Sequence, residues 1–344
     1  VKVSIVGATG YSGVELIRLL LQHPHVCIHS IVSGSQNGTE MREVYPHLSG
    51  IIEDTLTNLD IERMAKEVDL VFFATPSGVS KESIPLLMER GVKCIDVSGD
   101  FRLSATEYEA WYKHEAADPK YLAQAVYGLS EIYTERIKDA SYIANPGCYP
   151  TASLLGLIPA LQSGLIKPHS IIIDGKSGVS GAGRKASLGT HYVEINENVR
   201  AYKLGSHQHI PEIEQTLSDV IQEKVTVTFS THLIPMTRGI MCTIYTDLTQ
   251  EVTTQEVIQL YEEFYQEHPF VRIRPEGTWP ATKEVYGSNY CDLGFKVDER
   301  TKRLMIVAVI DNVVKGAAGQ AVQNLNLMSG WEITTGLQMT PVYP

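Results

Sequence analysis

Two patterns of apolar and polar positions divide the chain. Up to about residue 145, short apolar runs alternate with stretches whose apolar residues recur at helical spacing. Residues 1–6 read as a strand and residues 7–13 as a glycine turn. Residues 14–22 follow as a helix carrying Val14, Ile17, Leu20 and Leu21. Residues 26–32 and 70–74 (L-V-F-F-A) are further strands, the second nearly unbroken in apolar character, as a buried parallel strand requires. A helix over about 81–90 and the strand V-K-C-I-D-V-S come next. Alternation of this kind predicts an α/β, doubly wound sheet.

From about Cys148 the rhythm changes. Residues 170–174, 225–231, 241–247, 271–274, 291–297 and 303–310 are strand-like, and D-E-R-T-K makes a hairpin turn between the last two. Few helices intervene, chiefly 254–268, so this half predicts an α+β domain: a mixed, largely antiparallel sheet with helices on one face. After Asn312, K-G-A-A-G-Q-A-V-Q-N-L-N-L-M reads as a small-residue helix suited to close packing.

A length of 344 residues fits two domains. With 43% hydrophobic and 20% charged residues the chain has the composition of a soluble globular protein. Its apolar runs fall well short of the roughly 20 residues needed to cross a bilayer. The start, V-K-V-S-I-V-G, reads as a strand and not as a signal peptide, so the expectation is a cytoplasmic protein with no membrane partner. A formal charge of −11 argues against a nucleic-acid partner and means that an anionic substrate must be held by a few placed arginines. The five cysteines (27, 94, 148, 242, 291) include no C-x-x-C pair and are expected as free thiols.

The turn G-A-T-G-Y-S-G, with Gly7, Gly10 and Gly13 around Thr9, Tyr11 and Ser12, lies between a strand and a helix. There, glycines let backbone approach a pyrophosphate, and the helix offers its first amides. At the end of the second strand, Ser33 and Ser35 stand where an NAD site usually has an acidic residue; hydroxyls can donate to a 2′-phosphate without repelling it, which favours NADP(H). Arg42 or Lys66 are alternatives for nearby positive charge.

In N-P-G-C-Y-P-T, Pro150 suits the first turn of a helix, which sets Cys148 at a helix N terminus where a thiolate is favoured. Cys27, Cys94, Cys242 and Cys291 lie in strand-like runs and read as buried packing residues. G-S-H-Q-H-I-P-E supplies His207 and His209 with Glu212 just beyond, a combination suited to an oriented imidazole serving a thiol nucleophile. With no third ligand in evidence, no metal is expected. Arg102, Arg184 and Arg200 are candidates for binding phosphate and carboxylate, with the assignment among them open.

Together G-A-T-G-Y-S-G-V-E-L, D-V-S-G-D-F-R-L, N-P-G-C-Y-P-T, S-G-V-S-G-A-G-R, H-Q-H-I-P-E and D-N-V-V-K-G-A-A-G-Q-A-V-Q-N closely resemble the N-acetyl-gamma-glutamyl-phosphate reductase family, over residues 3 to about 330. The resemblance implies an NADP-binding Rossmann domain (1–147 and 312–344) and a catalytic and oligomerisation domain (148–311). It implies that Cys148 attacks an acyl phosphate to give a thioester that NADPH reduces. His207 would be the acid/base, oriented by Glu212, with His209 as the alternative and as a substrate contact. It also places Ala74, Thr75, Pro76 and Ser77, Ser177, Gly178 and Ser180, and Asn312 and Lys315 near the cofactor. The expected partners are a small acyl phosphate or semialdehyde and phosphate, in a homodimer or homotetramer. The competing readings are another acyl phosphate (aspartyl or an aminoadipyl derivative), a cysteine hydrolase or acyltransferase without hydride transfer, and a noncatalytic NADP sensor.

Overall fold

The computed structural model describes all of residues 1–344, and the chain forms two compact units. The first comprises Val1–Pro146 with Ala317–Gln338; the second comprises Gly147–Gly316 with Met339–Pro344.

In the first unit, strands β1 (Lys2–Val6), β2 (Cys27–Val32), β3 (Leu70–Phe73), β4 (Lys93–Asp96), β5 (Val126–Tyr127) and β6 (Tyr142–Ala144) form one sheet in the order β2-β1-β3-β4-β6-β5. Every neighbouring pair is parallel. All four residues of β3 are buried, as a central parallel strand with both faces covered demands. The order reverses between β1 and β3, so the turns after these two strands lie at the switch point where such sheets bind ligands. Helix Gly319–Met328 returns to this unit with every residue buried. Its polar side chains are paired: Gln320 donates to Gly128 O (2.9 Å) and Ser130 Oγ (2.6 Å), and Asn324 donates to Gly128 O (2.8 Å) and Asn145 Oδ1 (3.0 Å). Both amide nitrogens are tolerated in the interior because they find such partners, whereas Gln320 Oε1 is buried without one.

The second unit holds β7 (Ile172–Ser177), β8 (Arg200–Tyr202), β9 (Thr228–Leu233), β10 (Ile240–Asp247), β11 (Val271–Ile273), β12 (Cys291–Asp298) and β13 (Arg303–Ile310), ordered β11-β12-β13-β10-β7-β9-β8. Two pairs, β11/β12 and β7/β9, are parallel and the other four antiparallel, the mixed sheet that the alternation predicts. Strict alternation of buried and half-buried residues along β10 shows one face turned to the core. Helix Cys148–Gln162 packs on that face, where Gly156 lies against Ile244, Ile306 and Ala308. Tyr265 donates to Leu155 O (2.7 Å) and Tyr261 to Gly156 O (2.5 Å), fixing helix Thr254–Tyr265 to it.

The units divide a few residues away from the expected boundaries at 147/148 and 311/312. Residues 312–316 stay with the second unit because Asn312 accepts from Gly239 N (2.7 Å) and donates to Ser180 Oγ (2.9 Å). Residues 339–344 do so as well, where Val342 N donates to Tyr286 O (2.9 Å). No helix is long and apolar enough to cross a membrane.

Candidate active site

The second unit builds its chemistry around the start of helix Cys148–Gln162. Gly147 is the N-cap, extended at φ −67° and ψ 157°, and Cys148 is the first helical residue, half-buried. The helix therefore opens two residues before Pro150, whose missing N–H falls in the first turn, where no intrahelical partner exists for it. The thiol stands at the positive end of the helix dipole.

Glu212 is buried in the first turn of helix His209–Ile221, and its Oε1 accepts a hydrogen bond from Gly147 N at 2.8 Å. This bond ties the H-Q-H-I-P-E segment to the residue immediately before Cys148. The Nδ1 of His207 accepts from the backbone N–H of His209 at 3.1 Å, which leaves the imidazole proton on Nε2. The Glu212 carboxylate serves the Gly147 amide because a buried N–H requires an acceptor.

His207 is 5% exposed and walled by aromatic rings. Tyr149 (5.6 Å), Tyr202 (5.7 Å), Phe229 (5.6 Å) and the ring of His209 (4.7 Å) surround it. Burial pushes its pKa from 6.5 down to about 2, helped by the positive charges of His209 and Lys203 and opposed by Glu212. His207 is thus a neutral Nε2–H donor throughout the physiological range. Tyr202 donates to the Tyr149 hydroxyl (3.3 Å), and burial raises both phenols, that of Tyr202 to about 12.

Also within this unit, Ser177, Gly178, Ser180 and Asn312 are knitted together. Gly178 N donates to Gly239 O (2.9 Å), and Asn312 bridges Gly239 N and Ser180 Oγ. A side chain at Gly178 would come within 2.8 Å of Thr237 O. Lys315 is fully buried, its Nζ 5.9 Å from the Phe270 ring centroid.

The first unit carries the glycine turn. Gly7 has φ +86°, and a Cβ there would strike the Ala74 carbonyl; one at Gly13 would come within 2.8 Å of Ala8 Cα. Turn, helix Tyr11–Leu20 and the residues after β3 therefore touch backbone to backbone, the close approach for which glycine is needed. Gly10 caps that helix with no side-chain hydrogen bond. The Thr75 hydroxyl is buried without a partner, and Thr9 Oγ1 lies 3.2 Å from Ser33 Oγ, itself 3.5 Å from Ser35 Oγ. An uncapped helix start, an orphaned hydroxyl and a row of hydroxyls at the end of β2 suit a phosphorylated dinucleotide. Ala74, Thr75, Pro76 and Ser77 follow β3 beside Gly7, and Tyr11 and Ser12 are the first helical residues. Arg42 is ion-paired with Glu40, and Lys66 is exposed in the last turn of helix Ile61–Glu67.

Sequence reasoning did not single out the acid pair beside residues 78–81. Asp96 and Asp100 are both fully buried and share Ser80 Oγ, 2.9 Å from an oxygen of each. Asp100 also accepts from Gly78 N (2.7 Å) and Tyr108 Oη (2.8 Å), fixing the segment that follows Ser77. Burial, then the charge of Asp100, raises Asp96 to about 7. The repeated aspartates of D-V-S-G-D were the available signal.

The three arginines differ. Arg102 is buried in the first unit and donates to Asn145 O and Val97 O, both at 2.8 Å. Arg184 and Arg200 lie on an exposed stretch of the second unit, Arg200 on edge strand β8 against Gly189. Cys94, Cys242 and Cys291 are buried as packing residues, but Cys27 is exposed, because it starts β2 where the strand leaves the core. No group of three or more His, Cys, Asp or Glu side chains is arranged to hold a metal ion.

A dinucleotide turn at the switch point of one unit and a cysteine in the first turn of a helix, with a buried histidine in the same unit, define an oxidoreductase of the semialdehyde dehydrogenase type. Residues 2–140 match the semialdehyde dehydrogenase NAD binding domain, and residues 148–312 the semialdehyde dehydrogenase dimerisation domain. Among solved structures, aspartate semialdehyde dehydrogenase II of Vibrio cholerae, complexed with ASA, shares the fold (TM-score 0.73, 18% identity, 96% of this chain and 98% of that one). So does aspartate semialdehyde dehydrogenase with NADP from Candida albicans (TM-score 0.71, 16% identity, 95% and 98%). N-acetyl-gamma-glutamyl-phosphate reductase of Geobacillus kaustophilus (strain HTA426) is 57% identical over 344 residues, 100% of both chains. The same reductase of Bacillus subtilis (strain 168) is 53% identical, again over 100% of both. The chain belongs to the N-acetyl-gamma-glutamyl-phosphate reductase family.

Proposed function

We propose that the protein catalyses the reversible NADPH-dependent reductive dephosphorylation of N-acetyl-gamma-glutamyl phosphate to N-acetylglutamate 5-semialdehyde, a step of arginine biosynthesis. The observation that carries this reading is the Glu212 bond to Gly147 N, which joins the histidine segment to the turn presenting Cys148. It occurs in a chain 53–57% identical, over its full length, to reductases of that name in two bacteria.

Cys148 Sγ attacks the acyl carbon; a C–S bond forms, the bond from carbon to the phosphate oxygen breaks, and phosphate leaves with the electron pair. Residues 7–13, Ser33, Ser35 and Ala74–Ser77, with Ser177, Gly178 and Asn312, would hold NADPH, which would provide hydride for reduction of the thioester. Collapse of the resulting thiohemiacetal breaks the C–S bond and returns the thiolate as the aldehyde departs. His207, neutral with its proton on Nε2, is suited to donate to the oxygen that becomes negative at the acyl carbon. So weak a base does not hold a thiol proton at neutral pH, and His209 is the alternative for that task. Arg102, Arg184 and Arg200 are the proposed holders of phosphate and carboxylate, and the working assembly is a homodimer or homotetramer in the cytoplasm.

The test is absorbance at 340 nm with N-acetylglutamate semialdehyde, NADP and phosphate. Turnover is expected with this semialdehyde, and Cys148→Ala should abolish it. A preference for aspartate semialdehyde would move the substrate, and turnover surviving in the alanine variant would remove the nucleophile. His207→Ala should lower kcat by about 100-fold or more, without deleting a limb of the pH profile between 5 and 8.

A further inference from the structure

We infer that Gly316 is a positioning residue for Cys148: by lacking a side chain it lets a π-helical turn close against the cysteine, and the buried Asp311 holds that turn in place. This deepens the reading of Cys148 as nucleophile and rests on it. A Cβ built on Gly316 would lie 2.8 Å from Cys148 Cβ, 3.2 Å from Cys148 Cα and 3.2 Å from Ile310 Cδ1. Carbon atoms in good contact stand about 3.5–4.0 Å apart, so nothing larger than hydrogen fits. The backbone of Gly316 is not in the left-handed region, which means that space and not conformation calls for glycine. Two of the obstructing atoms belong to Cys148 itself, one of them backbone, and cannot swing aside as the tip of a flexible side chain could.

The turn that brings Gly316 there is unusual. Directly after β13 the chain forms a π-helix, Val314–Ala318, and Gly316 N donates to Asp311 O at 2.9 Å, five residues back. Such wide turns cluster at functional sites. Asp311 is fully buried, and its Oδ1 accepts from Val313 N (2.8 Å) and Val314 N (3.2 Å). Its Oδ2 accepts from Gly287 N (2.8 Å), with Arg238 Nη1 at 3.6 Å. Cys148 is thus confined from two directions: Glu212 fixes the amide of the preceding residue, and Gly316 closes on its Cβ.

The experiment compares Gly316→Ala with wild type and Cys148→Ser in the full-length protein. It reads kcat and KM in the 340 nm assay, the rate of iodoacetamide labelling of Cys148 resolved by peptide mapping, and the melting temperature. The alanine variant should lose about 100-fold in kcat with KM changed by less than about threefold, the signature of a reacting group displaced by about an ångström. Labelling of Cys148 should change by about fivefold or more, while that of exposed Cys27 stays constant. Labelling and kcat both within about twofold of wild type, or a loss confined to KM, would overturn the inference. Turnover retained by Cys148→Ser would instead remove the nucleophile, and the labelling rates would still judge the contact. If Gly316→Ala does not fold, Asp311→Asn carries the test: the same slowed kcat and altered labelling are expected, and a lower melting temperature alone overturns it.

Discussion

The amide of Gly147 is buried one residue before the thiol, and a buried N–H without an acceptor costs about 1–3 kcal/mol. Glu212 supplies the acceptor from a helix 65 residues further along the chain. Two substitutions separate its charge from its hydrogen bond. Glutamine retains an oxygen for Gly147 N and removes the negative charge that opposes the lowering of the His207 pKa. Glu212→Gln should therefore keep kcat within about tenfold of wild type, whereas Glu212→Ala, with the amide unpaired, should lose about 100-fold and melt lower. Equal losses in both variants would show that the carboxylate acts through its charge. The rings around His207 that sequence left unremarked, Tyr149, Tyr202 and Phe229, are set by strand register and ring packing, which no spacing in the chain records.

Among the elements, the unit of β1, glycine turn and helix Tyr11–Leu20 was readable because an apolar run, glycines at close intervals and helical periodicity each require their own residues. Strands β5, β6 and β8 went unread: with two or three residues each they give a period of two little to register in, and of the strands this short only β11 was read. The small-residue run after Asn312 reads as one helix, but the Asp311 carboxylate takes two of its first amides and turns the opening into a π-helix. Cofactor choice belongs to this scale, since it depends on where β2 ends relative to the turn after β1. Thr9 and Ser33 face each other there at 3.2 Å. Ser33→Asp sets a negative charge where the 2′-phosphate of NADP would lie, and like charges so close cost several kcal/mol. The ratio of kcat/KM for NADPH over NADH should fall by about 100-fold, measured with both cofactors in one preparation. An unchanged ratio would locate 2′-phosphate recognition elsewhere, with Arg42 or Lys66 next in line.

For the whole molecule, the formal charge of −11 gives anionic ligands no long-range attraction, and at physiological salt its field decays over about 8 Å, so local donors must do the binding. The response of stability to pH is likewise set by a few groups. Glu67, Glu256 and Asp298 are surface carboxylates whose hydrogen bonds lower their pKa values; their contribution is present at neutral pH and is lost as pH falls below about 4. Asp96 has the opposite sign. Its pKa is raised from 3.8 to about 7 by burial and by Asp100, so between those values the folded chain keeps a proton that the unfolded chain has released. Its contribution is full below about 4 and disappears as pH climbs through 7, at up to about 1.4 kcal/mol per unit. The geometry accommodates the proton, beside a Ser98 hydroxyl that also lies 2.9 Å from Asp96 Oδ2. Ser80 has one hydroxyl hydrogen for two carboxylates at 2.9 Å, and a protonated Asp96 can donate to Ser80 Oγ while Ser80 donates to Asp100. In Asp96→Asn the amide nitrogen replaces that proton and the amide oxygen still accepts from Ser98 N. Denaturant unfolding followed from pH 5 to 8 should show stability falling more steeply in wild type than in Asp96→Asn, with the two curves diverging as pH rises in favour of the asparagine. Parallel curves would mean that Asp96 is ionised across the range and that the shared hydroxyl serves two anions.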